Sequence, residues 1–210
     1  MALKLILVDP NQLLCESFNK YFSKYENVSI VNDRFENIPE FDCIVTAGNS
    51  FGLMDGGVDY AIVRYFGTDL QTRVQKYILG NFLGEQPVGT SFIIESGNKK
   101  HPFVAHTPTM RIPMTIEFTD YVYLAMKAAL LAVYHHNNSN AEKINILACP
   151  GLGTATGKVD YDEAARQMEL AYRFFIDPPK AISWGLAVDR QKSVRMGGEI
   201  GYMLWASKNK

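Results

Sequence analysis

Cys43-Ile44-Val45-Thr46-Ala47-Gly48-Asn49-Ser50-Phe51-Gly52-Leu53-Met54-Asp55-Gly56-Gly57-Val58-Asp59 is the stretch on which the reading of this chain turns. It opens with an apolar run, 43–47, that reads as a buried strand, and it ends at an amphipathic segment starting near Val58 that reads as a helix. Between them lies a loop longer than a strand-to-helix connection needs, and surplus loop length in a compact domain tends to carry function. Loops leaving the carboxyl ends of parallel strands are where α/β proteins place ligands, because backbone N–H groups and helix N-termini converge there. Gly48, Gly52, Gly56 and Gly57 let the backbone come close to a bound molecule. Asn49 offers a donor and an acceptor, and Asp59 a carboxylate at the start of a helix. Taken singly, Asp59 complements a helix dipole and Asn49 fills a turn; clustered with the glycines, they point to a site.

A second loop of the same kind follows another apolar strand: Cys149-Pro150-Gly151-Leu152-Gly153-Thr154-Ala155-Thr156-Gly157-Lys158. Its amides, with the Thr154 and Thr156 hydroxyls, suit phosphate oxygens. Two known phosphate motifs do not fit. In a Walker A loop the first glycine would fall on Leu152, and Val159 stands where a metal-binding hydroxyl belongs, so ATPase chemistry is disfavoured. A dinucleotide fingerprint needs Gly-x-Gly-x-x-Gly in the first βαβ unit, whereas this loop has one residue too many and lies late in the chain.

Outward from these loops, β-rich runs alternate with helix-period segments, the pattern of a mostly parallel sheet with helices on both faces. Expected strands are 3–8, 28–31, 43–47, 90–94, 103–106, 144–148 and 182–188, with 202–205 as a short edge strand. A first helix is expected with Asp9 as cap and Pro10 at its first position, carrying a stripe of Leu14, Phe18, Tyr21 and Phe22. Further helices are expected from Thr68-x-x-Gln71, along Val122–Val133, and from Asp160-x-x-Glu163. Loops are expected at 84–90, 96–102 and 107–115.

The chain has 210 residues, enough for one substantial core, and a single domain over 1–210 is expected. Lys plus Arg (21) balances Asp plus Glu (22), so neither general nucleic-acid binding nor membrane-surface binding is expected. Cys15, Cys43 and Cys149 are scattered in apolar contexts and no apolar run approaches a membrane span, which together suggest a cytoplasmic setting. His101, His106, His135 and His136 lack metal-site spacing, and no metal or cofactor is called for. His106 ends a strand at the expected ligand edge, where a hydrogen-bonded structural role is the plainer reading. Cys149 reads as a strand cysteine rather than a nucleophile.

Together the loops resemble those of the macro domain family. The likeness is carried by Ala47-Gly48-Asn49-Ser50, by Gly56-Gly57-Val58-Asp59 entering a helix, and by Pro150-x-Leu152-Gly153-Thr154-x-x-Gly157 followed by Glu163-Ala164-Ala165. The resemblance implies a three-layer α/β/α fold with a mostly parallel mixed sheet and an ADP-ribose pocket. It implies that the first loop (Gly48, Asn49, Ser50, Gly56, Gly57, Val58) meets the distal ribose. The second (Gly151, Leu152, Gly153, Thr154, Ala155, Thr156, Gly157) would cradle the diphosphate, and Asp33 would receive the adenine amine. Asn49 and Asp59 become the implied catalytic pair for hydrolysis of an ADP-ribose derivative, either a mono-ADP-ribosyl group on a macromolecule or ADP-ribose 1″-phosphate. A non-catalytic ADP-ribose or nucleotide reader, and reuse of the fold for another phosphate metabolite, stand as alternatives. Thr46 replaces the family's first Asn, and Met54-Asp55 interrupts its glycine run.

Overall fold

The computed structural model describes residues 3–196. Among the described residues there are eight strands: β1 (Lys4–Val8), β2 (Val28–Val31), β3 (Cys43–Val45), β4 (Gly48–Asn49), β5 (Phe92–Glu95), β6 (Phe103–His106), β7 (Pro108–Met110) and β8 (Ile146–Cys149). The α-helices are α1 (Gln12–Phe22), α2 (Gly57–Phe66), α3 (Asp69–Phe82), α4 (Tyr121–Ser139), α5 (Tyr161–Ile176) and α6 (Trp184–Val194). Six strands form one sheet in the order β2-β1-β8-β3-β6-β5, parallel except where β5 runs antiparallel to β6. The result is a three-layer α/β/α fold with a mostly parallel mixed sheet.

Strand periodicity divides the core in two. Leu5, Leu7, Cys43, Val45, Phe103, Ala105, Leu147 and Cys149 face the layer built by α1, α4 and α5. The intervening Ile6, Val8, Ile44, Val104 and Ala148 face α2 and α3, where Ile62, Leu70, Val74 and Ile78 meet them. Because both faces are covered, successive residues along each strand are apolar, and the strands read as continuous runs rather than as alternation. Phe18, Leu14 and Phe22 are buried along α1, as the stripe predicts.

Several boundaries differ from the sequence reading. The first helix is capped by Asn11, whose side chain accepts from Leu14 N, because the Asp9 carboxylate is drawn to Asn11 N and Gly151 N instead. Thr68 precedes α3 without a side-chain capping bond, and Gln71 turns away to accept from Met54 N at 2.8 Å. Asp160 caps α5 as expected. Glu163 does not reach back to complete a capping box; it pairs with Arg166. The expected strand at 182–188 is a helix: Ser183 accepts from Leu186 N, and Ile182 and Trp184 on either side of it are exposed rather than in a sheet. The segment 107–115, read as loop, contains β7, which pairs in parallel with β4 in a second, two-stranded sheet. The strand expected at Tyr202–Trp205 lies outside the described residues. No helix among the described residues is long and apolar enough to cross a membrane.

The central pairing of β3 with β8 is clasped at its start by Asp42, whose Oδ2 accepts from Asn145 N and Ile146 N at 2.6 and 2.9 Å. Asp42→Ala removes both bonds and is expected to lower stability by about 1–2 kcal/mol. Urea unfolding measures the loss, and an unchanged midpoint would refute the role given to Asp42.

Candidate functional site

The carboxyl ends of β1, β3 and β8 lie side by side, and the loops that leave them wall a cleft of about 540 Å³. That volume suits a nucleotide-sized ligand. Of the residues singled out from sequence, Gly48, Asn49, Gly56, Gly57, Val58, Asp59, Gly151, Gly153, Thr154, Ala155, Thr156 and Gly157 line it together. Three do not. Ser50 is fully buried, with its N–H bonded to the Met110 and Arg111 carbonyls. Leu152 belongs to the core under α4 and α5. Asp33 is exposed, its Oδ1 accepting from Asn37 Nδ2 and Arg34 N, and these bonds hold its carboxyl below the usual range.

The second loop is fixed by contacts made with its carbonyls. Ile116 N donates to Gly157 O and Val159 N to Gly153 O. Gly153 sits at φ +72°, and a Cβ there would meet Val122 Cγ2 at 2.8 Å, so the turn requires glycine. Among the described residues, the N–H groups of Gly153, Thr154, Ala155, Thr156 and Gly157 donate to no protein acceptor. Across the cleft, α2 begins at Gly56 without a side-chain cap, so its first amides are also unbonded. Two runs of free backbone N–H thus share one cavity, an arrangement suited to anionic oxygens.

Asn49 holds its own loop. Its Oδ1 accepts from Phe51 N and Leu53 N, and its Nδ2 donates to Leu53 O at 2.7 Å, leaving one amide hydrogen. Asp59, on the first turn of α2, is 4% exposed, and its Oδ1 is buried without a partner. Burial pushes its carboxyl up to about 7, partly opposed by a hydrogen bond from the Ala47 backbone. Gly48 allows this group to come close: a Cβ there would stand 3.0 Å from Asp59 Oδ2.

Sequence reasoning missed Asp9, Asn11, Arg34, Phe35, Glu36 and Tyr161, all on the cleft wall. Asp9 follows β1 at the same sheet edge as the two glycine loops, and its bond to Gly151 N ties its own segment to the second of them. The rule that loops at the carboxyl ends of parallel strands gather at one site was available to find it. Cys149 is fully buried and its thiol is driven well up by desolvation, which suits a strand cysteine.

Residues 45–168 match the macro domain family. An uncharacterised protein of Aquifex aeolicus is 34% identical over 149 residues, covering 70% of this chain and 81% of that protein. Another, from Pyrobaculum aerophilum, is 32% identical, covering 64% and 68%. Among solved structures, the Oceanobacillus iheyensis macrodomain with ADP superposes with a TM-score of 0.56 at 20% identity, covering 76% of this chain and 86% of that one. The macrodomain of Mycobacterium tuberculosis DarG gives 0.53 at 18%, covering 64% and 82%.

Two outcomes follow from this geometry. Gly56 has an extended backbone, and a Cβ there meets nothing within 4 Å, whereas Gly153 has no room. Gly56→Leu is therefore expected to fold with parental stability and fill the cleft, while Gly153→Ala loses about 1–3 kcal/mol; thermal unfolding of the pair distinguishes them, and equal losses would contradict it. The second concerns pH. The folded value of Asp59 lies above its ordinary 3.8, so its burden on stability is absent below that value and grows until pH passes about 7. Asp59→Asn should stabilise the protein more at pH 8 than at pH 5, by about 1–3 kcal/mol. Calorimetric scans at both pH values test this, and a gain independent of pH would remove burial of the carboxylate as its cause.

Proposed function

The chain belongs to the macro domain family, and on that premise we propose that its cleft binds ADP-ribose and that the protein hydrolyses an ADP-ribosyl derivative. The observation that carries the reading is the pairing of unbonded amides at Gly153–Gly157 with the uncapped start of α2, beside a buried carboxyl. A diphosphate seated between the two runs satisfies donors that the protein leaves free. The structures of the Oceanobacillus iheyensis macrodomain with ADPR and with ADP support this ligand class.

With the diphosphate fixed, the distal ribose lies against the first loop, and its anomeric carbon faces Asp59. Asp59, ionised, takes the proton of an attacking water as the bond to the leaving group breaks, and its charge favours the positive charge developing on the ribose. The remaining Asn49 amide hydrogen meets a ribose hydroxyl. Gly56 and Gly57 leave room for the leaving group, a macromolecular side chain or a phosphate. No step calls for a metal.

A second reading, a reader that binds without turnover, is favoured by Asn49, whose carboxamide already serves its own loop. A third, another phosphate metabolite, is favoured by Asp55, an exposed acid on the cleft wall where the family carries glycine.

Titration calorimetry with ADP-ribose, AMP and NAD tests the pocket. Selective ADP-ribose binding that Gly56→Leu abolishes supports it, and absence of binding to any of the three overturns it. For turnover, Asp59→Ala is expected to lower the rate on ADP-ribosyl substrates by about 100-fold or more, and the parental rate should rise with pH toward about 7 as Asp59 ionises. Binding without product points to the reader.

A further inference from the structure

Neighbouring parallel strands in the order β2-β1-β8-β3 all end at the cleft, and each sends a different chemistry into it. After β3 comes the first loop, with Asn49 and the approach to Asp59. After β8 come the unbonded amides of Gly153–Gly157. After β2 comes the turn that carries Arg34, Phe35 and Glu36. Between β2 and β8, the end of β1 delivers Asp9 and Asn11. The hydrolysis described above uses the ends of β3 and β8 and leaves the end of β1 without a task.

That end is a fixed polar cluster. Asp9 Oδ1 accepts from Asn11 N at 2.9 Å, and Oδ2 from Gly151 N at 3.2 Å. One bond to each oxygen holds the carboxylate in place and leaves both oxygens able to accept again. A Cβ at Gly151 would stand 2.9 Å from Asp9 Oδ2 and 3.3 Å from Thr154 Oγ1, so the bare glycine keeps the carboxylate close against the second loop. Asn11 Oδ1 accepts from Leu14 N, which turns its Nδ2 toward Tyr161 Oη at 2.9 Å. An amide nitrogen only donates, so the phenol accepts there and keeps its own proton for another partner. A carboxylate and a phenol proton thus stand on the cleft wall beside amides suited to phosphate. A carboxylate repels a second anion and accepts from a hydroxyl, so this point of the cleft suits a sugar and not a phosphate.

We propose that Asp9 and Tyr161 select the sugar of the nucleoside half of the ligand: Asp9 accepts from its 2′-hydroxyl, Tyr161 donates to a neighbouring sugar oxygen, and a ribose phosphorylated at that position is rejected. The order of the strands carries the assignment. With the diphosphate over β8 and the reacting ribose over β3, the second sugar lies over β1 and its base over β2. An acid on a ribose hydroxyl is also how dinucleotide-binding folds tell an unphosphorylated ribose from its 2′-phosphate. Arg34 lies one strand further out and shares its turn with Glu36, so two acids, Asp9 and Glu36, face one base at this end of the cleft.

The selection rests on the cleft binding ADP-ribose, as proposed above, and the ligands of the test separate the two. Titration calorimetry compares ADP-ribose, its 2′-deoxyadenosine analogue and 2′-phospho-ADP-ribose on the unaltered protein. The deoxy analogue is expected to bind about 10-fold more weakly than ADP-ribose, and the 2′-phosphate about 100-fold more weakly. Absence of binding to all three overturns the ADP-ribose reading and the selection with it. Equal binding of the three, or a preference for the 2′-phosphate through Arg34, overturns the selection alone. In Asp9→Asn the penalty on the 2′-phosphate is expected to shrink to less than about 10-fold. An aspartate that only held the second loop would weaken all three ligands alike and leave their ratios as they were, which also overturns the proposal. Tyr161→Phe is expected to weaken ADP-ribose about 5-fold, and unchanged affinity removes Tyr161 from the role. If Asp9→Asn does not fold, the three affinities of the unaltered protein decide.

Discussion

Parallel pairing of Cys43 with Leu147 and Ile44 with Ala148 brings together two strands that about half of the chain separates. Everything at the cleft depends on that contact. Each strand delivers a glycine-bearing loop to the same edge, and β1, paired with β8 on its other side, delivers Asp9 to the same cleft. Asp9 then ties Gly151 N, so the second loop is anchored to the first strand and not only to its own helix. With its carbonyls fixed by Ile116 and Val159, the loop keeps its amides pointed away from protein acceptors. An unbonded N–H is unfavourable unless water or a ligand meets it. Two facing runs of them are a local reservoir for an anion in a protein whose overall charge is nearly balanced.

The same economy governs the acid. Asp59 stands on α2 where a helix start favours a carboxylate, yet burial outweighs that preference and raises its proton affinity toward neutrality. Beside it, Gly48 withholds a side chain that would press on Asp59 Oδ2 at 3.0 Å. Stability is given up to keep a group that exchanges a proton near neutral pH, a relation common at functional sites.

How much of this was legible in the sequence follows from what each signal encodes. The two glycine loops were readable because glycine and strand-flanking position are local properties, and the stripe Leu14, Phe18, Phe22 was readable because helical burial is periodic. Caps misled where a polar side chain had a distant rival: Asp9 was drawn to Gly151, and Gln71 to Met54. The run at 182–188 looked like a strand by composition, but Ser183 caps a helix there and no sheet edge receives it. Arg34, Glu36 and Tyr161 were invisible because only the folded chain brings the 3-10 turn Phe35–Asn37 and the start of α5 to one cleft. Ser50 and Leu152 sit within the right motifs yet face the interior, since in a tight loop neighbouring residues point to opposite sides.

Charge on the cleft wall bears on how such a site recognises an anion. Asp9, Glu36 and Asp55 line it against the single basic side chain Arg34 among the described residues. A pocket that relied on lysine and arginine would attract any polyanion and respond strongly to salt. In the binding mode proposed above, attraction would come from backbone dipoles fixed in direction, which reward oxygens placed at particular points rather than negative charge in general. The acids on the wall then work against anions that do not fill those points. In the function proposed above, selectivity for a diphosphate joined to two sugars would arise from the same geometry that leaves the amides bare, with Gly48 leaving the acid open toward the ribose.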